Sequence, residues 1–428
     1  MRLISRLVRG SVMALPLLLG ALLCACSETH EPIDWREAVR GGTEGLDTLE
    51  TAALVRDSGT AGAHVATGLS PYLMTGRIER FGQEVRAATF MQWNLDALPA
   101  GEVTAAHLEM HLHHFDVPGT DAGAIPLEMH RVTSAWSEDS LGLGGTPSAD
   151  ADVIATAEVD TTNIGASDGI ALKSIFGGED DLPFRDLVGA WVAGSAANHG
   201  IEVVPAPGAP QGILRFWSAE GLPTGLTTFN SPLLVVTVHA GGADSTVSLE
   251  AAHDGFVAQL TGGGRVAMPD TLLLVSGGFV QRAALHFDPA PLRELMAADS
   301  VSALLVTKAM LHLTLAPDLD WSLAEGETLP ILAYAADSLD YGALDSLPNT
   351  VLDQRVALVT ITGGAESVDI PIVSFVQRLI EGGSRDLVLL ANTEVLGANS
   401  ALFKSTAARA GAPRLEVVFI RTDGRLDP

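Results

Sequence analysis

The chain has 428 residues, of which 52 are acidic and 25 are basic, and its formal net charge is −27. A surface this acidic repels phosphate backbones, so we expect no nucleic-acid partner. Hydrophobic residues make up 47% of the chain, enough for two domains with cores, and both cysteines lie within the first 26 residues, which excludes disulfides and a cysteine nucleophile from the rest.

The N-terminus has the three parts of a bacterial secretory signal. Three arginines precede the apolar run 12–23, which is too short to span a bilayer. The run ends in Leu-Cys-Ala-Cys, which resembles a lipobox and predicts a signal peptide over 1–25, with Cys26 as the lipidated first residue. Cys24 fits less well, because the bulky Leu23 precedes it. An ordinary signal peptide cut nearby is the alternative. Ser27 favours the outer membrane, since an Asp there would favour retention in the inner membrane.

Residues 26–50 are polar and acidic, which predicts a flexible spacer between the anchor and the first folded unit. From residue 51 onward, short β-branched or alternating apolar runs are separated by Gly, Pro, Asn and Asp, as is typical of strands and turns. The clearest predicted strands are 105–112, 201–204, 233–238, 309–315, 387–390 and 415–420.

An internal repeat divides this strand-rich region into two copies. Two segments have apolar residues at positions i, i+3, i+4, i+7 and i+8 and reach a glycine two residues later, which predicts a three-turn helix with one buried face. The two sets are Phe184, Leu187, Val188, Trp191 and Val192 before Gly194, and Ile372, Phe375, Val376, Leu379 and Ile380 before Gly382. Flanking motifs recur in the same order: Arg86–Phe90 matches Arg282–Phe287, Ala106–Leu112 matches Ala309–Leu315, and Pro232 and Pro413 each precede a last strand.

Each copy has too many predicted strands for one open sheet, and two packed sheets would bury the alternating apolar faces. We therefore predict an all-β protein with two tandem jelly-roll β-sandwich domains, each with one short amphipathic helix. The predicted bounds are 51–240 for the first domain, 241–270 for a linker and the start of the second unit, 271–421 for the second domain and 422–428 for a tail.

The order of motifs in the first copy resembles the DNRLRE domain. The shared features are an arginine-bearing strand, an Ala-x-Leu-x-Met-x-Leu strand, Trp136 after Val-Thr-Ser-Ala, the helix followed by Asn198–Gly200, and the final proline. The likeness covers 76–238 and, more loosely, 272–419, where Ser384–Asp386 replaces Asn198–Gly200 and no tryptophan matches Trp136. That family is similar to carbohydrate-binding modules with a jelly-roll fold, so the resemblance implies polysaccharide binding.

Histidines are dense on one predicted strand. Alternation along the strand places four potential zinc ligands on the face opposite the apolar residues: His107, Glu109, His111 and His113. Residues two apart on a strand are separated by about 7 Å, so one ion would need further ligands from an adjacent strand. The alternative is a solvated sheet face. The spacing also differs from the His-Glu-x-x-His motif of zinc proteases.

Aromatic residues offer a second candidate site, because their rings can stack on the apolar faces of sugars. Arg215 and Trp217 share one face of a predicted strand, and with Trp136 they are our candidate ligand contacts. Trp136 and Trp217 occupy repeat positions, so a structural role is the alternative for both. Trp191 lies on the apolar face of the predicted helix, and we expect it in the core.

Catalytic motifs of the Gly-x-Ser-x-Gly, P-loop and Gly-x-Gly-x-x-Gly types are absent from the sequence. We predict a non-enzymatic, lipid-anchored protein of the cell envelope that binds polysaccharide. A structural scaffold with envelope-protein partners is the alternative, and a polysaccharide-degrading enzyme is the least favoured. We expect no cofactor; the sequence would allow zinc on the histidine face or calcium at acidic loops such as 179–181.

Overall fold

The computed structural model describes residues 46–51, 54–80, 82–116, 123–143, 145–161, 172–177, 182–220, 231–261, 266–298, 303–316, 323, 327–336, 339–341, 344, 347, 351–397 and 399–422. The predicted signal peptide 1–25, the lipidation site Cys26, most of the spacer and the acidic loop 179–181 lie outside the described residues. The chain from Thr48 onward forms one compact unit.

Strands dominate the described residues, and neighbouring strands of the two large sheets are antiparallel. The strands are β1 (Leu46–Thr51), β2 (Val55–Gly62), β3 (Tyr72–Arg80), β4 (Gln83–Trp93), β5 (Glu102–Asp116), β6 (Ala124–Val132), β7 (Ala149–Asp160), β8 (Leu172–Phe176), β9 (Ile201–Pro205), β10 (Gly212–Trp217), β11 (Leu233–Ala240), β12 (Ala243–Leu260), β13 (Leu272–Ser276), β14 (Gln281–Phe287), β15 (Ala303–Thr314), β16 (Thr328–Ala336), β17 (Leu352–Thr362), β18 (Ser367–Pro371), β19 (Asp386–Ala391), β20 (Ser400–Lys404) and β21 (Arg414–Thr422). The helices are α1 (Leu182–Val192), α2 (Ala290–Ala298) and α3 (Val373–Glu381), with a 3-10 turn at Glu138–Ser140.

The first sandwich is one continuous network of paired strands in the order β12-β11-β5-β10-β3-β4-β9-β6-β7, with β8 paired to β5. Strand β12 is 18 residues long and pairs twice: its first part forms a hairpin with β11, and 251–260 pair with β4. Alternation along β5 directs Leu108, Met110 and Leu112 into the core, where they meet the buried face of α1. The alternation predicted for this strand is therefore confirmed.

The second sandwich has two sheets, in the orders β1-β21-β15-β18 and β17-β16-β19-β14-β13-β20, with β2 paired to β14. They enclose one core, which includes Leu311 of β15, Phe403 of β20 and Phe375 of α3. The order β10-β3-β4-β9-β6-β7 of the first sandwich recurs here as β20-β13-β14-β19-β16-β17, so the two copies have the same strand pairing. The predicted all-β class and sandwich architecture are confirmed.

In the chain, each repeat copy is preceded by one or two strands that belong to the sandwich of the other copy. Strands β1 and β2 come before the first copy, yet they pair with β21 and β14 of the second. Strand β12 comes before the second copy, yet it pairs with β11 and β4 of the first. The chain therefore passes from the second sandwich to the first after β2 and returns to the second after β12, and these strands cover backbone groups that would otherwise stand at sheet edges.

The predicted domain bounds differ from this arrangement. Residues 55–62 fall inside the predicted first domain and belong to a sheet of the second sandwich, and most of the predicted linker 241–270 is strand β12 of the first. The apolar periodicity of a strand indicates that a strand forms, but it does not identify the partner with which that strand pairs.

The helices predicted from the repeat are present in both copies. The buried faces consist of four predicted side chains each: Phe184, Leu187, Val188 and Trp191 in α1, and Phe375, Val376, Leu379 and Ile380 in α3. Gly382 ends α3 with a left-handed φ of 95°, which allows its N–H to reach the carbonyls of Arg378 and Leu379. The second copy has an additional helix, α2, which the sequence analysis did not predict; the Asp288 carboxylate accepts the N–H of Ala290 at its start. No helix in the described ranges has the length and apolarity needed to cross a bilayer.

An apolar seam joins the two sandwiches. Its buried cluster takes Met74 of β3 and Phe256 of β12 from the first sandwich, and Leu274 of β13 and Leu402 of β20 from the second. A shared core of this kind holds the strand ends of the first sandwich at a fixed position against the second.

Candidate functional site

Three strand ends of the first sandwich meet beside this seam. Strand β10 lies between β3 and β5, and its register pairs Trp217 with Tyr72 on β3. On the β5 side, Arg215 pairs with His114 and Phe216 with Leu112, which leaves His113 at an irregularity in the pairing. Phe216 is fully buried, so its neighbours on β10 project from the opposite face.

The rings of Tyr72, His113 and Trp217 form one cluster, which we call the ring platform. Tyr72 and His113 stack with centroids 4.6 Å apart and planes inclined by 2°. Trp217 packs against both, at centroid distances of 4.4 Å to His113 and 5.2 Å to Tyr72. Tyr72 and Trp217 are half-buried and His113 is exposed, so the cluster reaches solvent.

Arg215 links the ring platform to the second sandwich. Its Nη1 donates a hydrogen bond of 3.0 Å to the carbonyl of Leu396, which lies in the turn between β19 and β20. Its guanidinium carbon lies 5.8 Å from the centre of the Tyr72 ring, within the range of a cation–π contact. Arg215 and Trp217 share a face as predicted, but the structure gives Arg215 a protein partner at the seam.

The turn that contains Leu396 is held by a buried ion pair of the second sandwich. Arg282 is 1% exposed and binds Glu394 in the bidentate manner, with Nε–Oε1 and Nη2–Oε2 distances of 2.7 and 2.8 Å. A third contact runs from Arg282 Nη1 to the carbonyl of Leu347 at 3.1 Å. The same turn accepts a hydrogen bond from Ser70 Oγ, at the carbonyl of Val395, just before β3.

Trp136 lies apart from the ring platform. It is half-buried, its indole N–H donates to the carbonyl of His199 at 2.9 Å, and its ring packs edge-on against Phe90. Asn198 in turn donates to the carbonyl of Trp93 and accepts the N–H of Gly200. Hydrogen bonds therefore hold Trp136 and the Asn-x-Gly motif in place against each other. These contacts favour a structural role for Trp136 over a role in ligand binding.

The four candidate zinc ligands on β5 do not converge. His107 Nε2 lies 3.2 Å from Glu109 Oε1, and His113 belongs to the ring platform at the other end of the strand. Within the described ranges, the one set of three or more ligand-type side chains with atoms within 4.8 Å of one another is elsewhere, and it consists of Glu138, Glu220 and Asp254. A zinc site on β5 stays a prediction.

Tyr72 is the platform residue that sequence reasoning missed. It stands at the first position of a strand, next to the buried Leu73, and nothing in its local pattern indicates a neighbouring tryptophan. Its place in the site depends on the pairing of β3 with β10, whose residues lie far apart in the chain. The acidic cluster was missed for the same reason.

Comparisons with known proteins do not assign this chain to a family. No protein-family model matches it, and no curated protein matches it. Among solved structures, it is similar to a serine-rich repeat protein (Srr2) from Streptococcus agalactiae, with 10% identity, 78% of this chain and 83% of the other covered, and a TM-score of 0.16. A structure of infectious bursal disease virus, Gt strain, shares 7% identity over 88% of this chain and 76% of the other, with a TM-score of 0.09. At these scores neither match bears on fold or function.

Proposed function

We propose that this chain is a lipid-anchored, non-enzymatic protein of the cell envelope that binds polysaccharide on the ring platform. The observation that supports binding is the convergence of Tyr72, His113 and Trp217 from three separate strands into one cluster that reaches solvent. Rings of this kind offer a rigid apolar face with polar edges, which suits the alternating apolar and hydroxyl surfaces of a sugar ring. The resemblance of the first copy to the DNRLRE domain, which remains an expectation, points in the same direction.

The charges near the platform favour a neutral polysaccharide. The chain has a net charge of −27, which repels polyanions at long range. Arg215 lies beside the rings on β10, with its guanidinium carbon 5.8 Å from the centre of the Tyr72 ring, and its Nη1 binds the carbonyl of Leu396. Stacking on the rings is then the main attraction that the platform offers.

A binding role is also favoured over catalysis. The described carboxylates with raised pKa values include the neighbours Asp254 and Glu220: burial, followed by the charge of Glu220, raises the pKa of Asp254 well above its usual value. Burial likewise raises the pKa of Glu220. Asp254 is fully buried, so a polysaccharide could not contact it as an acid or a nucleophile would have to.

Affinity electrophoresis of the full chain in mild detergent tests the proposal. We expect one neutral polysaccharide in a panel of neutral and acidic polymers to retard the wild-type protein. Trp217→Ala should remove the retardation while the midpoint of thermal unfolding stays within a few degrees of wild type. Trp136→Phe, which keeps a ring beside Phe90 and removes the indole N–H that donates to His199, is the matched control and should leave retardation unchanged.

The absence of retardation across the panel would contradict polysaccharide binding and favour the second candidate, a scaffold with protein partners. One observation supports that candidate. Leu305 and Leu358 are each 53% exposed and Val373 is 36% exposed, and they line an apolar groove of the second sandwich between β15, β17 and α3. Exposed apolar patches are common at protein–protein contacts.

The lipid anchor has a test of its own. Cys26→Ser should move the protein from the membrane fraction of the native host to the soluble fraction, because a serine cannot accept the thioether-linked lipid. Cys24→Ser is the matched control and should stay with the membranes. Release by Cys24→Ser with retention of Cys26→Ser would place the anchor at the other cysteine.

A further inference from the structure

Three carboxylates from separate parts of the first sandwich converge at the end of β10. Glu138 lies in the 3-10 turn after β6, Glu220 follows β10, and Asp254 lies in β12. One oxygen from each side chain lies within 4.8 Å of the others. Like charges at this separation repel strongly when they are partly withdrawn from water.

Asp254 differs from the carboxylates of a solvated acidic surface. The residue is fully buried, and its Oδ2 accepts the backbone N–H of Ala219 at 2.8 Å. Its Oδ1 is also buried and has no hydrogen-bond partner among the described residues. A buried carboxylate oxygen without a donor is costly, and such atoms are rare in native structures unless water or an ion completes the site.

Few positive groups offset the cluster. His253 Nδ1 lies 3.4 Å from Glu138 Oε2, and the backbone N–H of Asp254 is 3.4 Å from Glu138 Oε1. In the part of the chain that the structure describes, no lysine or arginine forms an ion pair with any of the three carboxylates. A single shared proton could bridge two carboxylates, but it would leave the third ionised beside them.

We propose that Glu138, Glu220 and Asp254 bind one divalent cation, and that calcium is the ion that suits them best. The ligands are all carboxylate oxygens, which hard cations prefer, and calcium–oxygen distances of about 2.4 Å allow opposite ligands to be almost 5 Å apart. Glu220 is exposed, so the ion has a route from solvent, and water can complete its coordination. The ion would fasten the turn after β10, through Glu220, to β12 and to the 3-10 turn.

Calcium titration of the EDTA-treated full chain in detergent, followed by calorimetry and by thermal unfolding, tests this proposal. We expect one site per chain and an unfolding midpoint that rises with calcium. Asp254→Asn and Glu138→Gln should each weaken binding at that site at least tenfold and remove the calcium-dependent shift. Asp139→Asn is the matched control, because Asp139 is an exposed carboxylate adjacent to Glu138 and lies outside the cluster.

Terbium provides a second readout of the position of the ion. The ring of Trp136 lies 6.4 Å from that of His253, which contacts Glu138, so a terbium ion in the cluster should emit on excitation of tryptophan. Trp136→Phe should dim this emission without changing calcium affinity. A wild-type midpoint that does not respond to millimolar calcium, or an Asp254→Asn variant that binds as tightly as wild type, would overturn the proposal and leave a shared proton as the explanation of the cluster.

Discussion

The two sandwiches share a frame and differ at its exposed strand ends. Ser218 after β10 and Ser405 after β20 make equivalent contacts: the backbone N–H of each donates to the carbonyl of Pro71 or Thr271, and the hydroxyl of each donates to the carbonyl one residue earlier. These contacts align Trp217 with Lys404, since each residue directly precedes its serine.

The strand registers then identify what replaces the ring platform in the second sandwich. Lys404 pairs with Leu272, as Trp217 pairs with Tyr72. Phe403 bridges to Leu315 as Phe216 pairs with Leu112, so the counterpart of His113 is Ala316. The buried phenylalanine is kept while all three rings are lost. The two copies therefore share the frame that their cores form, whereas the proposed binding surface of the first copy consists of three side chains that the core does not require.

The second sandwich contributes support instead of rings. Its buried pair Arg282–Glu394 holds the turn that meets Arg215 and Ser70 at the seam. At the ring platform of the first sandwich, the half-buried rings of Tyr72 and Trp217 pack on each other and on the exposed ring of His113. We therefore expect substitutions in the second sandwich to act mainly on stability and on the position of the turn at the seam, and substitutions at the ring platform of the first sandwich to act mainly on polysaccharide binding.

The largest effect is expected from Glu394→Ala. The substitution removes the carboxylate that binds two nitrogens of the buried Arg282 guanidinium, and breaking a buried pair in this way typically costs about 3–5 kcal/mol of unfolding free energy. The Lys308–Glu416 pair in the same sandwich is partly exposed, with a side-chain exposure of 45% at the lysine, so Lys308→Ala should cost less than about 1 kcal/mol. Guanidinium-induced unfolding of the full chain measures both.

Glu394→Ala should also weaken polysaccharide retardation, because the turn that holds Arg215 against Tyr72 loses its anchor. Lys308→Ala should leave retardation as in wild type. If Glu394→Ala destabilises the chain and retardation at a temperature well below unfolding stays unchanged, the two sandwiches act independently and the supporting role is wrong.

Gly200→Ala should have the next largest effect and should act on the first copy. Gly200 has a left-handed φ of 83°, and a Cβ atom there would collide with the carbonyl oxygen of Met91 on β4. Strain of this kind costs about 1–3 kcal/mol. Gly382→Ala in the second copy is the control, because its φ of 95° is also left-handed but a Cβ atom meets nothing closer than 3.9 Å.

We expect Gly382→Ala to cost about 1 kcal/mol, the usual penalty of placing alanine at a left-handed helix end. The unfolding midpoint of Gly200→Ala measures the combined cost of the left-handed backbone and the collision of Cβ. The midpoint of Gly382→Ala measures the cost of the left-handed backbone alone. Equal losses would mean that β9 shifts away from β4 at little cost, which would weaken the account of the Asn-x-Gly motif given above.

Trp217→Lys tests the comparison directly, because it gives the first sandwich the residue of the second. Retardation by polysaccharide should weaken at least tenfold, which corresponds to about 1.4 kcal/mol of binding free energy. The reciprocal change Lys404→Trp should create no new binding, because Leu272 and Ala316 provide no neighbouring rings. Full binding by Trp217→Lys would mean that polysaccharide binds somewhere other than the ring platform.

The sequence predicts single elements better than it predicts their partners. The helices follow from five apolar residues and a glycine in each copy, and β5 follows from its alternation, because these patterns are local. The local apolar pattern of β2 or β12 does not indicate which sheet the strand joins. The pairing of β2 with the second sandwich and of β12 with the first could therefore not be predicted from the sequence. For the same reason, Trp217 was selected from its own strand while Tyr72 was not, and Asp254 gave no signal that Glu138 and Glu220 lie beside it.

The smallest predicted effects come from two carboxylates whose pKa values are shifted in opposite directions. The N–H of Ala290, followed by the charge of Arg56, lowers the pKa of Asp288 in the second sandwich. Burial raises the pKa of Glu202 in the first. A group whose pKa is lower in the folded chain than in the unfolded chain stabilises the fold at pH values above its unfolded pKa, and this stability is lost as the pH falls through its folded pKa. A group whose pKa is higher in the folded chain destabilises the fold as the pH rises from its unfolded pKa through its folded pKa.

Asp288→Ala should therefore cost about 1 kcal/mol near pH 7, as the loss of a helix cap typically does, and the cost should shrink below the ordinary aspartate pKa of about 3.8. Glu202→Gln should raise the unfolding midpoint slightly near pH 7 and leave it unchanged where the wild-type glutamate is already protonated. Thermal unfolding of both variants between pH 3 and 8 measures these differences against wild type. Parallel curves for the two variants would contradict the opposite signs, because only groups with opposite pKa shifts produce differences that diverge as the pH rises.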